Sequence, residues 1–173
     1  KNPGVGALLQ PLSRPIPVGN AVEGKQVQIV DPGDLTIVVL NTQVVIDMGT
    51  ATTMSVLDEN GAHIGGCIIP GVRISLDALT DKTALLPGLQ LDQPKRAIGR
   101  NTIDAMRSGI MLGTACMLDG MVQRMEQELG CKTNVVITGG IAKFIAPMCN
   151  TPMHYDKDLL VKGLAALYRD NKR

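Results

Sequence analysis

The residues best suited to chemistry lie in a strand, a tight loop and a second strand at residues 44–57. A run of β-branched apolar residues stops at Asp47, turns through Gly49 and Thr50, and resumes as a second strand pattern. Glycine permits close backbone approach, threonine hydroxyls donate and accept hydrogen bonds, and the carboxylate can meet a cation or a polar ligand. These residue types indicate phosphate handling. An ordinary turn between two strands explains the same residues.

A second glycine-rich segment, Thr138-Gly139-Gly140, follows a short apolar strand pattern at residues 134–137. We expect a helix at residues 141–148, so the glycines lie at a strand-to-helix junction. At such a junction a phosphorylated ligand can approach the backbone, and the helix amides carry a positive partial charge. A simple tight turn is the alternative.

A third candidate precedes the longest helical pattern of the chain. Arg100 is a cation that can pair with a carboxylate or a phosphate, and Thr102 offers a hydroxyl at the start of the helix. Asn101 or Thr102 would also serve as a plain helix cap, with Arg100 a solvated side chain. The residue types alone leave both interpretations open.

Histidines and cysteines give no sign of a metal site or of a side-chain nucleophile. His63 and His154 have no acid or second histidine at ligand spacing, and no Ser-His-Asp or Cys-His arrangement is evident. The cysteine spacings match no zinc or redox pattern, so we expect free, largely buried thiols in a reducing compartment. The four cysteines are Cys67, Cys116, Cys131 and Cys149.

The composition is that of a globular chain with few means of binding nucleic acid or membranes. Of 173 residues, 45% are hydrophobic and 19% charged, with a net charge of +1, which suits one domain without a basic patch. Only three aromatic residues are present, too few for a surface that stacks nucleic-acid bases. No signal-peptide core or apolar run of about 18 residues occurs, so we expect no membrane association and a cytoplasmic location.

From residue 44 onward the pattern of strands and helices is regular. It predicts three successive strands, with a hairpin turn at Asn60-Gly61, and a short helix at residues 72–79. A long helix follows from Asn101 or Thr102 to Leu129, where Gly130 ends it, and then come a strand and helices at residues 141–148 and 157–168. The apolar positions expected to form the core face of the long helix are Ile103, Met106, Ile110, Met117, Met121 and Met125.

This order predicts an α/β fold. Three antiparallel strands followed by alternating helices and strand are the layout of one actin-like, ribonuclease H-like ATPase lobe. In that fold class a nucleotide lies between two such lobes. Residues 1–43 are broken by prolines, with short strand patterns at residues 27–30 and 35–40, and we interpret them as an irregular remnant of an N-terminal lobe. Residues 44–173 then form the C-terminal lobe.

Taken in order, a series of segments resembles the type III pantothenate kinases. The resemblance extends over residues 44–171 and continues through residues 158–160 and Gly163-Leu164 near the end. Its principal segments are residues 47–53, 65–71, 85–87, 98–102, 108–110 and 138–140.

The resemblance implies an actin-like fold, a homodimer, and phosphorylation of pantothenate to 4′-phosphopantothenate by ATP with Mg²⁺, the first step towards coenzyme A. It implies that Asp47 binds a monovalent cation, K⁺ or NH₄⁺, and that Thr102 contacts pantothenate near the dimer interface. Pantothenate and ATP are the implied partners. The residues implied to bind ATP are Gly49, Thr50, Thr138, Gly139 and Gly140.

Two segments expected from the resemblance are missing from the 173 residues. One is an Asp-x-Gly-Asn-Thr phosphate loop, and the other is a Gly-Ala-Asp-Arg segment that supplies the catalytic base. We therefore assign no catalytic residue, and we expect the chain as given to be incomplete and inactive. The alternative function is that of a non-catalytic, actin-like nucleotide-binding relative that acts as an accessory or regulatory protein.

Overall fold

The computed structural model describes residues 42–81 and 91–172 of the chain. The predicted N-terminal remnant, its strand patterns at 27–30 and 35–40, and the segment at residues 85–87 lie outside the described residues. In chain order the elements are strands β1 Gln43–Met48, β2 Ala51–Leu57 and β3 His63–Pro70, helices α1 Val72–Asp81 and α2 Thr102–Leu129, strand β4 Asn134–Thr138, helix α3 Ala142–Ile145, a 3₁₀ turn Ala146–Met148, strand β5 His154–Tyr155 and helix α4 Leu159–Asp170.

The strands form one five-stranded sheet in the order β3-β2-β1-β4-β5. Strands β1, β2 and β3 pair antiparallel, whereas β4 runs parallel to β1, and β5 runs parallel to β4. The α2 crossover between β3 and β4 is what returns the chain to the other side of β1. This arrangement confirms the predicted α/β, actin-like lobe. Strand β5 was not predicted, because two residues are too few to show an alternating pattern.

One face of the sheet carries the core. Ile46 of β1 lies opposite Met54 of β2 and Ile137 of β4, and these side chains are almost fully buried. Helices α2 and α3 cover this face, because Leu118 and Ile145 belong to the same buried cluster. Residues that alternate with the core positions, including Asp47, therefore point to the opposite face of the sheet.

The two ends of α2 agree with the prediction. Asn101 caps the first turn in an extended conformation, with its side chain accepting from the Asp104 amide. Gly130 ends the helix at φ 70°, in the left-handed region that glycine adopts at low cost. The local sequence signals at helix ends therefore decided both boundaries.

The predicted core face of α2 is wrong at its first position. Ile103 is 43% exposed, whereas Met106 is buried and the other expected positions are partly buried against the core. The fully buried row is instead Met111, Ala115, Leu118 and Val122. Extended towards the start of the helix by the same spacing of three and four, this row passes through Ser108 and Asp104 and misses Ile103.

The last third of the chain departs from the prediction in its helix lengths. The helix expected at residues 141–148 is a single α turn followed by a 3₁₀ turn that contains Pro147. Proline lacks an amide hydrogen, so Pro147 cannot donate to the carbonyl four residues before it, and α3 ends early. The final helix is confirmed, shifted by two residues at each end.

All four cysteines are free thiols, as predicted, but the expectation that they are largely buried is wrong for Cys116 and Cys131, which are exposed. Cys67 and Cys149 are half-buried. Within residues 42–81 and 91–172, no helix has the length and apolar character needed to cross a membrane.

Candidate functional site

Three side chains that carry oxygen atoms lie side by side where strand β1 ends. We call this end of the sheet the Asp47 edge. Asp47 near the end of β1 is the direct partner of Thr53 in β2 and of Thr138 in β4. Directly paired residues share a face of a sheet, so one carboxylate and two hydroxyls lie on the face opposite the core. Asp47 is exposed and Thr138 is buried, which makes Asp47 the group that a bound ion or ligand meets first.

The turn between β1 and β2 consists of Gly49 and Thr50, which are both exposed. The Gly49 amide donates to the carbonyl oxygen of Ala51 at 3.1 Å, which closes the turn. Gly71, directly after β3, packs against the turn so closely that a Cβ there would overlap the Thr50 carbonyl group. The turn is therefore supported by backbone from a third strand, and its two residues present backbone and a hydroxyl to solvent.

The third part of this edge is the junction after β4. Gly139 has φ 106° and lies on the backbone of Met48. Its contact joins the β4–α3 junction to the end of β1, beside Asp47. The neighbouring Gly140 is exposed and has open space around it, so a ligand can approach its backbone. The glycines that sequence reasoning selected are thus brought next to the Asp47 turn.

The helix behind this junction offers less than the sequence predicts. Helix α3 has four residues, and its Ala142 amide donates to the Gly139 carbonyl at 3.2 Å. That amide is consequently engaged within the chain, and one helical turn has little of the partial charge of a longer helix. The Thr138-Gly139-Gly140 segment therefore depends on close approach of its backbone rather than on a strong helix terminus.

Thr102 occupies a different place, at the first position of α2. Asn101 is the cap, because its Oδ1 accepts from the Asp104 amide at 2.9 Å and its Nδ2 donates to the Asp104 carboxylate at 3.0 Å. Arg107 pairs with the same carboxylate, with Nη1 3.5 Å from Oδ1. The capping role thus belongs to Asn101, which leaves the exposed Thr102 hydroxyl and the exposed Arg100 side chain for a ligand.

Sequence reasoning missed the residue that holds the segment before Thr102. Ser108 is buried on α2, and its Oγ donates to the carbonyl oxygen of Ala97 at 2.5 Å. The signal that identifies it is a hydroxyl residue on the buried row of an apolar helix, since buried polar groups require hydrogen-bond partners.

The Asp47 edge offers few charged side chains to a cation. In the part of the chain that the structure describes, no group of three or more histidine, cysteine or acidic residues is placed to hold a metal ion. Asp47 is one carboxylate, beside threonine hydroxyls and the backbone of the Gly49-Thr50 turn.

The sequence profile described as Type III pantothenate kinase matches residues 36–124, which are 89 of the 173 residues. The chain belongs to the type III pantothenate kinase family. The profile match includes Asp47, Gly49, Thr50 and Thr102, and it ends before the glycine junction that follows β4. The family match therefore covers the candidate segments at residues 44–57 and 98–102.

Curated relatives extend the match. A type III pantothenate kinase of Rhodospirillum rubrum is 43% identical over 129 residues, 75% of this chain and 50% of that protein. One from Hyphomonas neptunium is 38% identical over 141 residues, 82% of this chain and 52% of that protein. The chain thus spans about half the length of these pantothenate kinases.

A solved structure supports the fold. A crystal structure from Campylobacter jejuni, described as a conserved Baf family transcriptional activator, aligns with a TM-score of 0.58 at 21% identity, over 84% of this chain and 68% of that chain. At this identity the likeness concerns the fold alone. This likeness agrees with the α/β lobe that the strand order of the sheet indicates.

Proposed function

We propose that the complete gene product phosphorylates pantothenate with ATP to give 4′-phosphopantothenate, the first step towards coenzyme A. Family membership supports the reaction, and one structural observation supports the site: Asp47 and Thr138 are direct partners on adjacent strands. Two segments that are 91 positions apart in sequence therefore meet at one sheet edge. Phosphoryl transfer depends chiefly on positioning and on neutralising charge, and a cation held by the Asp47 carboxylate would supply positive charge at this edge.

In this proposal the Asp47 edge holds ATP. Asp47 binds a monovalent cation, K⁺ or NH₄⁺, and Mg²⁺ accompanies the ATP phosphates. These cations supply positive charge against the phosphates when bound. The exposed Gly49-Thr50 turn presents a hydroxyl and backbone to the nucleotide, and Thr138, Gly139 and Gly140 allow its close approach from the neighbouring strand.

Thr102 contacts pantothenate in this proposal. Its hydroxyl is exposed and is not needed for capping, since Asn101 has that role. Pantothenate carries a carboxylate and hydroxyl groups, which an exposed threonine at the start of a helix can bind. The exposed guanidinium of Arg100 adds positive charge beside it.

We propose none of these residues as the general base, because the sequence lacks a Gly-Ala-Asp-Arg segment. We assign residues 44–173 to one actin-like lobe that contributes binding groups for ATP, the cation and pantothenate. Residues 1–43 are assigned to the remnant of the other lobe.

We further propose that the protein is a cytoplasmic homodimer. Ile98 and Ile103 flank residues 99–102, and their side chains are 82% and 43% exposed. Burial of such apolar side chains favours association. The free thiols agree with a reducing compartment. Light scattering of the complete gene product tests the dimer directly.

The function is tested with the complete gene product, ATP and pantothenate, and with 4′-phosphopantothenate measured by mass spectrometry. We expect turnover that requires both substrates, falls when K⁺ is replaced by Na⁺, and falls at least about tenfold in the Asp47→Asn variant, because a charged ligand is removed. Glu59→Gln is the matched control, since Glu59 is an exposed acid in the turn at the other end of β2. A protein that binds ATP and never phosphorylates pantothenate would instead support the non-catalytic alternative.

A further inference from the structure

We propose that Ser108 is a positioning residue for pantothenate, because it fixes the substrate loop, defined here as residues 97–102, on helix α2. This inference rests on the proposed kinase function, which gives Thr102 its substrate. The Ser108 Oγ donates to the Ala97 carbonyl at 2.5 Å, across eleven positions of sequence. Ser108 is only 7% exposed, so this bond satisfies a hydroxyl that would otherwise be buried without a partner.

The middle of the substrate loop is also held against the helix. A Cβ at Gly99 would come within 2.6 Å of the carbonyl carbon of Asp104 and would overlap the backbone of Ala105. Contacts this close leave no room for any side chain, so the loop backbone lies directly on the first turn of α2. The Ser108 bond and the Gly99 contact therefore act on the same loop from the same helix.

The far end of the substrate loop is anchored by Asn101, which caps α2 through the Asp104 amide. The anchored positions are thus Ala97, Gly99 and Asn101, and in sequence they alternate with positions that have no anchor. The chain bends at residues 97, 98, 100 and 101, and the positions without an anchor are exposed and form the free side of the loop. The free side is formed by Ile98, Arg100 and Thr102.

The free side of the loop matches the chemistry of an amphipathic carboxylate. It presents one apolar side chain, one guanidinium and one hydroxyl in succession, and pantothenate carries methyl groups, a carboxylate and hydroxyls. The relative placement of the three side chains depends on the anchors beneath them, because a loop without anchors samples many conformations at an entropic cost on binding. Ser108 therefore acts on the substrate through the loop without touching it.

Ser108→Ala in the complete gene product tests the inference. We expect the KM for pantothenate to rise roughly fivefold, the effect of losing one hydrogen bond, with the KM for ATP unchanged. Ser108→Thr retains the hydroxyl and should restore the KM. Thr114→Val is the matched control, because the Thr114 hydroxyl donates to Ile110 within the same helix at 2.6 Å and contacts no part of the substrate loop.

Hydrogen exchange read by mass spectrometry gives a second measurement that needs no activity. Ser108→Ala and Gly99→Ala should each speed exchange of amides in the substrate loop, and Thr114→Val and Gly109→Ala should not, because the space around Gly109 is open. An active wild-type enzyme whose Ser108→Ala variant keeps its KM for pantothenate, or keeps its loop protection, would overturn the inference alone. A wild-type protein that neither binds nor phosphorylates pantothenate would overturn the proposed function, and with it the substrate role of the loop.

Discussion

Gly139 lies directly on the backbone of Met48, and a Cβ at position 139 would come within 2.5 Å of the Met48 carbonyl oxygen. The two residues are 91 positions apart in sequence, and the parallel pairing of β1 with β4 brings them together. Gly139 also adopts φ 106°, a conformation that residues with side chains rarely adopt. Steric fit and backbone conformation thus both require glycine at this point of the proposed ATP site.

We expect Gly139→Ala to destabilise the protein by about 2 kcal/mol or more, because it combines positive-φ strain with backbone overlap. ATP binding should weaken as well, since the β4–α3 junction must move away from the Asp47 edge. Urea unfolding and calorimetric titration with ATP measure the two effects.

Gly140→Ala is the control for this substitution, because Gly140 is exposed, has no atom within 4 Å of an added Cβ, and is outside the positive-φ glycines. Its stability should stay within about 0.5 kcal/mol of wild type. Equal losses in the two variants would show that the Met48 contact is not what requires glycine.

The features that the sequence predicted well are those with local causes. The ends of α2 follow from Asn101 and Gly130, and the turn before β3 follows from Gly61, which has φ 76°. Each of these signals acts over a few residues, through a cap or a left-handed conformation. The β1–β2 turn at Gly49 is also local, since the Gly49 amide donates to the carbonyl oxygen of Ala51 at 3.1 Å.

The features that the sequence did not reveal depend on distant pairing. Nothing near Gly139 indicates Met48 as its neighbour, and nothing near Ser108 indicates Ala97. The exposed position of Ile103 depends on how α2 rotates against the sheet, which periodicity alone leaves uncertain by a residue or two. The early end of α3 has a local cause in the missing amide hydrogen of Pro147, so that boundary was predictable from the sequence.

The exposed Thr102 hydroxyl gives a prediction about substrate binding. Thr102→Val keeps the shape of the side chain and removes the hydroxyl, so the KM for pantothenate should rise about tenfold while stability changes by less than about 0.5 kcal/mol. Steady-state kinetics and thermal unfolding measure both. In the control Thr80→Val, the hydroxyl that is lost bonds to carbonyls of its own helix, including that of Asp77 at 3.0 Å, so this KM should stay unchanged. An unchanged KM in Thr102→Val would remove Thr102 from the substrate site.

Asp119 connects α2 to the segment after the 3₁₀ turn. Its two carboxylate oxygens accept from the amides of Asn150 and Thr151, at 2.8 and 2.9 Å. Asp119→Asn replaces one acceptor by a donor that faces an amide, so we expect a loss of about 1–3 kcal/mol in urea unfolding. Asp77→Asn, on the exposed face of α1, should cost almost nothing.

Asp119→Asn should also change the reactivity of the Cys149 thiol. Burial raises the pKa of Cys149 to about 12, and the negative charges of Asp119 and Cys116 add to that rise. Without the Asp119 charge the pKa of Cys149 falls, so its thiolate fraction and its rate of alkylation by iodoacetamide should increase. Cys67, whose pKa burial alone raises, serves as the internal reference. Equal alkylation of Cys149 in wild type and variant would contradict this electrostatic coupling.

Glu126 gives a prediction about pH. Burial favours its neutral form, but hydrogen bonds from Lys132 and Thr133 outweigh burial and hold the pKa of this carboxyl below its usual 4.5. A carboxyl with a lowered pKa in the folded state contributes stability above about pH 4.5, and that contribution disappears as the pH falls through the folded-state pKa. Lys132 is 90% exposed, so solvent weakens its ion pair, and the Glu126 carboxylate also accepts from the Thr133 amide at 3.0 Å.

We therefore expect Glu126→Gln to lower the free energy of unfolding by about 1 kcal/mol at pH 7, and this difference from wild type to shrink as the pH is lowered below 4.5. Urea unfolding at a series of pH values measures it. Asp156 also has a lowered pKa, held down by Lys162 and the Asp158 amide against the effect of burial, so wild type alone should lose stability in acid for more than one reason. The difference between wild type and Glu126→Gln isolates one carboxyl, and the exposed Glu128→Gln on the same helix should show no such difference. A difference that stays constant from pH 7 to pH 3 would mean that the Glu126 charge does not stabilise the junction between α2 and β4.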